Sequence, residues 1–288
     1  MLWFLFSILA GFFQSLQDVF AKKSTRVLDE QNAAFGFSLL AGFLSLGFVL
    51  MDGVPVLGPW FLVVLVCSGI LNALSLTLFF RALKASDLSL TVPMLAFTPV
   101  FLLLSSPILV GEFPSVLGLA GVLLVVAGSH VLGWTPTSRG LMSPIRALLR
   151  ERGPRLMLAV AFLWSISSNV DKIGIRNSSP ALWLALESLT VGLLLGLWRF
   201  WKRQLDFRRL FLAWPFIVPM AFSSALGGFF QFNAIRESLV AYVVALKRTG
   251  IVWSVLFGYW LFGEKGLGGR LAGVILMVAG VGLIALAG

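Results

Sequence analysis

Slid along itself by 152 positions, the chain overlaps its own second half: Phe80 to Gly128 falls on Phe232 to Gly280 without a gap. Leu109-Val-Gly111-Glu112 meets Leu261-Phe-Gly263-Glu264, Leu119-Ala-Gly-Val meets Leu271-Ala-Gly-Val, and Val126-Ala-Gly128 meets Val278-Ala-Gly280. Nearer the start of each copy, Lys22 falls near Lys172 at a shift of about 150. A chain built twice from one unit must pack the copies against each other, and any shared site lies at their junction.

Each unit is almost wholly apolar. The hydrophobic fraction is 59% and the mean hydropathy +0.97, more apolar surface than a water-soluble core absorbs. Ten runs approach the roughly 20 residues a membrane span needs: 2–21, 33–51, 60–80, 88–110, 115–133, 156–175, 181–200, 210–231, 239–262 and 268–286. Trp3, Trp60, Trp134, Trp198, Trp201 and Trp214 fall at their edges, where amphipathic rings prefer to sit. The first run starts at Leu2 without a basic leader, so it reads as a span and not a cleaved signal.

The reading is an all-α integral membrane protein with two five-helix units, 1–133 and 156–288, joined by a basic linker, 134–155. Part of that linker, from Pro144 to Arg152, reads as a short helix on the membrane surface. Five is odd, so the second unit enters from the opposite side. The two repeats are then inverted around a central cavity. Lys22, Lys23, Arg26, Arg81, Lys84, the linker arginines, Arg199, Lys202, Arg203, Arg208, Arg209, Lys265 and Arg270 fall on one side; only Lys172, Arg176 and Arg236 fall on the other. The positive-inside rule makes the crowded side cytoplasmic and places both termini outside. The net charge of +10 therefore reports topology and attraction to anionic lipid, and no nucleic-acid partner is expected.

Chemistry is sparse. Cys67 is the only cysteine and His130 the only histidine, so no zinc site or intrachain disulfide can form and no metal or cofactor is expected. No acid–base constellation or nucleotide-binding motif stands out, so neither an enzyme nor an ATP-driven pump is expected.

Lys247-Arg248 is the sharpest anomaly. Nine residues beyond Ser238, at about 1.5 Å each, put Lys247 roughly 13 Å along its helix, near the midplane. A charge there costs about 2.5–3.5 kcal/mol on insertion, and two adjacent cations repel. The first copy carries Leu95-Ala96 at the matching positions, so the fold does not need the charges. One reading is a cavity for an anion, with Lys as point charge and Arg as planar fork. The other is internal pairing with Glu187, Asp18 or Asp171.

Polar stripes mark cavity faces. Gln14, Gln17 and Asp18 share one face of span 1, and Ser165, Ser168, Asn169 and Lys172 share one of span 6. The alternative for both is hydrogen bonding between helices. Asn72, Ser75, Gln231 and Asn233 are weaker candidates, and Trp164 and Trp253 either shape the cavity or simply pack. The substrate-binding set is Lys247, Arg248, Gln14, Gln17, Ser168, Asn169, Asn72 and Trp253. Asp18 and Glu187 are the candidates for coupling; Asp171 reads as an ion pair with Lys172, and Glu112 and Glu264 as helix terminators. Pro93 and Pro99 interrupt span 4 as a kink or hinge, where the second copy has Ala245 and Ile251. Gly118, Gly121 and Gly128 on span 5, with Gly269, Gly273 and Gly280 on span 10, make small-residue faces for scaffold packing or a homodimer.

Together the five-span duplication, the Trp164-to-Lys172 pattern, the Gly-Glu pairs closing spans 4 and 9 and the glycine-spaced spans 5 and 10 resemble the drug/metabolite transporter superfamily, EamA type. Gln14, standing where the second copy has Trp164, departs from the pattern. The resemblance implies a ten-helix basket with a central cavity and alternating access for a small metabolite. The dyad is similar to the Lys-Arg pair of the plastid triose-phosphate/phosphate translocators. The expected activity is secondary transport, as exporter or exchanger, of a small organic anion or of a zwitterion whose carboxylate meets Lys247-Arg248. The alternatives are a flippase for a lipid with an anionic headgroup and a membrane signalling or assembly protein. Membrane lipid is the expected surrounding, and a prokaryotic plasma membrane the expected location.

Overall fold

The computed structural model describes residues 2–132, 151–262 and 271–287, and among them every regular element is helical. In chain order these are α1 (Leu2–Ser24), α2 (Glu30–Asp52), α3 (Phe61–Ala85), α4 (Leu88–Thr91), a 3₁₀ segment (Val92–Phe97), α5 (Thr98–Leu109), α6 (Val116–Leu132), α7 (Arg152–Arg176), α8 (Pro180–Trp201), α9 (Phe207–Leu212), α10 (Trp214–Glu237), α11 (Val240–Lys247), α12 (Gly250–Phe262) and α13 (Leu271–Ala287). Residues 134–150 of the linker, Trp134, Gly263-Glu264, Lys265, Gly269 and Arg270 lie outside the described residues.

Seven stretches are long and apolar enough to cross a membrane: α1, α2, α3, α7, α8, α10 and the run Val240–Leu261. Met94–Leu109, Val116–Ser129 and Ala272–Ala287 are shorter apolar segments. Among the described residues, seven of the ten runs read from the sequence thus hold a stretch of spanning length.

Local chemistry sets the boundaries. The Asp29 carboxylate accepts the Gln31 and Asn32 amides at the start of α2, and Ser179 Oγ accepts the Leu182 amide at the start of α8, where Pro180 needs no partner for a missing N–H. Gly53 ends α2 with a positive φ of 79°.

The packing exchanges the two copies. α1 lies along α10 and α3 along α7; α2 lies along α8 and α6 along α13. The first helix of each copy meets the third of the other, and the second and fifth helices meet their own counterparts, as an axis that swaps the copies requires. Leu62, Leu104, Ile108, Leu197, Phe200 and Ile275 stay exposed, the outer surface expected of a protein solvated by lipid. Trp60, Trp198, Trp201 and Trp214 are exposed as a belt residue should be, but Trp3 is buried against Phe4.

The glycine faces of spans 5 and 10 meet each other. A Cβ on Gly121 would stand 2.8 Å from the Gly280 carbonyl oxygen, and one on Gly128 2.6 Å from that of Gly273. Close approach of α6 and α13 within the chain uses Gly121, Gly128, Gly273 and Gly280, whereas Gly118 faces Tyr242.

Both fourth spans are broken. In the first copy a 3₁₀ turn containing Pro93 separates α4 from α5, which Pro99 helps to start. The second copy has no proline there, yet breaks between Lys247 and Gly250. Three causes are visible. Thr249, Ile251 and Val252 donate three residues back instead of four. Thr249 Oγ1 bonds the Leu246 carbonyl at 2.7 Å, and Gly250 follows, a weak helix former. α1 crosses at this point, so close that a Cβ on Gly11 would stand 2.5 Å from the Lys247 carbonyl oxygen. Both fourth spans are thus interrupted, the first with prolines and the second without.

Candidate functional site

A cavity of about 140 Å³ lies between the copies. It takes Gln14 and Gln17 from α1, Asn72 from α3, Trp164, Ser168 and Asp171 from α7, Glu187 from α8, Gln231 from α10 and the dyad Lys247-Arg248 from α11 and the break after it. Its volume is below the roughly 300–1,000 Å³ of drug-sized sites.

The dyad sits where α11 ends. A helix C-terminus carries partial negative charge, which offsets part of the cost of two cations in a membrane. Neither cation pairs with a carboxylate: among the described residues no acidic oxygen lies within the 4.0 Å of an ion pair. Lys247 Nζ donates to the neutral Gln231 Oε1 at 2.5 Å, and Arg248 Nη2 to Thr98 Oγ1 at 3.1 Å. Arg248 is 4% exposed, and its buried Nε has no hydrogen-bond partner. The expected alternative, internal pairing with Glu187, Asp18 or Asp171, is not what the side chains do.

Asp171 does not pair with Lys172. Neighbours on a helix point about 100° apart, and the two go to different places. Asp171 accepts from Ser68 Oγ at 2.8 Å, Trp183 Nε1 at 3.2 Å and Ser167 Oγ at 3.4 Å, while Asn72 Nδ2 donates to Ser167 at 2.6 Å and to Ser68 at 3.1 Å. Lys172 pairs with Glu112 and donates to the Ser238 carbonyl at 2.8 Å.

The remaining candidates divide. Gln14, Gln17, Ser168, Asn72 and Glu187 line the cavity with the dyad. Asn169 does not: it bonds Ser105 and accepts from Ser106 on α5. Trp253 is 42% exposed and stands edge-on to Phe12, away from the cavity. Asp18 lies behind the lining, accepting from Gln14 Nε2 at 3.0 Å and Ser254 Oγ at 3.1 Å. Ser75 and Asn233 bond back into their own helices. Sequence reasoning passed over Ser167, Ser188, Ser224 and Thr98, because a lone hydroxyl in an apolar helix gives no signal of its own.

Membrane-length helices around a polar, cation-bearing cavity define an integral multi-pass membrane protein of the transporter class. The model of the EamA-like transporter family matches residues 1–134 and 152–286, and the chain belongs to that family. Its members are transporters of the drug/metabolite type, not enzymes. A solved crystal structure of a protein 20% identical aligns over 98% of this chain and 97% of its own with a TM-score of 0.71, a likeness of fold. No curated protein matches the chain.

Proposed function

We propose that the protein is a secondary transporter of small organic anions, with the carboxylate or phosphate of the substrate held by Lys247 and Arg248. The observation that carries this reading is the unspent hydrogen-bonding capacity of a buried cation. Arg248 Nε has no partner, among the described residues no carboxylate lies within ion-pair distance of either residue, and both line the cavity. Leaving a buried charged donor unpaired is costly, and a bound anion removes the cost by accepting the free donor. Gln14, Gln17, Asn72 and Ser168 complete the polar wall.

Transport proceeds by alternating access between the two inverted units, 1–133 and 156–288, with the broken spans as the elements that change shape. Pro93 and Pro99 mark the hinge in the first unit. Asp18, hydrogen-bonded to Gln14 and hence to the cavity wall, is the coupling carboxylate behind the site. The basic loops face the cytoplasm and the termini the outside, in a prokaryotic plasma membrane.

The test is thermal stability of the purified protein at fixed ionic strength against lactate, succinate, ethyl phosphate, inorganic phosphate, neutral sugars and organic cations. A ligand that binds only the folded state raises the melting temperature. Stabilisation by an anionic class, lost in Lys247→Gln and Arg248→Gln, is the expected result. Stabilisation by cations or neutral compounds, unchanged in both variants, contradicts the reading.

A further inference from the structure

Topology read from the sequence leaves Lys172, Arg176 and Arg236 on the side opposite the crowded basic face. The fold gathers all three. With Pro55, Ser179 and Pro180 they line a cavity of about 380 Å³ where α7 ends and α8 begins, and it shares no lining residue with the central cavity. The amide of Gly58 donates to the Asn177 carbonyl at 2.9 Å, which ties the loop carrying Pro55 to the turn between α7 and α8 and gives the cavity a fixed wall.

The charge in this cavity is not balanced. Among the described residues Glu112 is the one carboxylate within ion-pair distance of these cations. Its Oε1 is taken by Lys172 and its Oε2 accepts the Val240 amide. Arg176 Nη2 stands 3.8 Å from Oε1, too far for a hydrogen bond. Arg236 has no carboxylate in reach among the described residues; Asp52 and Glu237 are exposed and do not line the cavity. The start of α8 adds partial positive charge of its own.

The repeat shows that the fold does not require this imbalance. Asp29 and Ser179, which cap α2 and α8, stand at equivalent positions, and so do Lys84 and Arg236. In the first copy Glu30 follows the cap and pairs with Lys84 at 3.3 Å. In the second copy Pro180 takes the place of Glu30, and Arg236 is left without its acid. Two guanidinium groups held in one cavity repel, and their planar forks match the oxygens of a phosphate or carboxylate.

We propose that this cavity is a second anion site, where Arg176 and Arg236 together hold a phosphate or carboxylate group, carried by a soluble anion or by a lipid headgroup. It does not depend on the reading of Lys247 and Arg248. Ser168 lines the central cavity, and Lys172 and Arg176 follow at four-residue steps on the same face of α7, so a soluble anion bound here lies just beyond the central site.

The test is protection from phenylglyoxal, which adds to guanidinium groups, read residue by residue by mass spectrometry on the full chain in phosphatidylcholine nanodiscs. The exposed Arg155 and Arg208 are the internal controls. Inorganic phosphate is expected to slow modification of Arg176 and Arg236 several-fold, saturably and with one shared Kd, and to spare the controls. If the anion is a lipid headgroup, the same protection appears without phosphate when phosphatidylglycerol replaces part of the phosphatidylcholine. In either case Arg236→Gln is expected to abolish protection of Arg176, and Arg176→Gln that of Arg236, while Lys247→Gln leaves both protected. Modification at an unchanged rate in both arms overturns the proposal. So does protection matched by sodium chloride at equal ionic strength, protection of Arg176 that survives Arg236→Gln, or protection lost in Lys247→Gln.

Discussion

Lys172 and Glu112 form an ion pair between the end of α7 and the turn after α5, with side chains only 8% and 9% exposed. The same carboxylate accepts the Val240 amide at 2.9 Å at the start of α11, the half-helix that ends in the dyad. Three elements around the site are thereby tied at one end. Removing Glu112 leaves the buried Lys172 without its counter-charge, which costs about 3–5 kcal/mol; removing Lys172 leaves Glu112 only the more distant, exposed Arg176 at 3.8 Å and should cost less. Glu112→Gln and Lys172→Met should each lower the melting temperature in detergent, and the double variant should lose less than the sum. Melting temperatures equal to the parent's would show that the pair holds nothing.

The two copies repeat this tie in part. Lys22 Nζ donates to the Ser86 carbonyl at 2.6 Å, as Lys172 does to that of Ser238, and the two serines stand at equivalent repeat positions. Lys172→Met therefore should also speed protease cleavage near Ser238, where a backbone carbonyl loses its donor. Cleavage at the parent's rate would contradict this.

Gly11 is fixed by space, not by conformation. A Cβ there would stand 2.5 Å from the Lys247 carbonyl oxygen and 3.1 Å from the Gly250 nitrogen, both backbone atoms. Gly11→Ala must part α1 from the break in the ninth span, an overpacking cost of about 1–3 kcal/mol, and should abolish transport. Gly47 is the control, with nothing within 4 Å of its Cβ position. Gly47→Ala should be neutral or stabilise by up to about 1 kcal/mol. Equal effects in a thermal melt would refute the close crossing.

How far the sequence leads depends on whether the signal is local. Apolar runs and their repeat reveal the helices, because each span must be long and satisfied within itself. Lys247 and Arg248 are legible because charges at mid-span violate that rule. Asp171 is misread because adjacency to Lys172 looks like pairing, whereas helical geometry turns the two apart. Asn169 shares the Ser165–Lys172 stripe but sits at its edge and faces α5. The break at Thr249 carries no proline, and one of its causes, the crossing with Gly11, joins residues far apart in the chain. The Ser68–Asn72–Ser167–Asp171 network is invisible for the same reason.

Asp18 joins α1 to α12 through Ser254 and bonds Gln14 one turn away on its own helix. Asp18→Ala strands the buried Ser254 hydroxyl and the half-buried Gln14 amide and should cost about 1–3 kcal/mol; Asp18→Asn keeps an acceptor and should cost less. If Asp18 carries the coupling proton, Asp18→Asn should stop accumulation driven by a pH gradient while leaving exchange intact. Loss of both in a correctly folded variant would assign it to substrate handling.

The most direct measurement is counterflow in proteoliposomes loaded with one member of the anion panel and given the same labelled compound outside. The account predicts transient uptake of at least one carboxylate or phosphate ester. Arg248→Gln, reconstituted to the same density, should slow that uptake by roughly tenfold or more, as expected when a charge-assisted contact worth about 1.5–3 kcal/mol is lost. Uptake by Arg248→Gln at the parent's rate, or uptake confined to cations, would contradict the anion-binding dyad at the centre of the site.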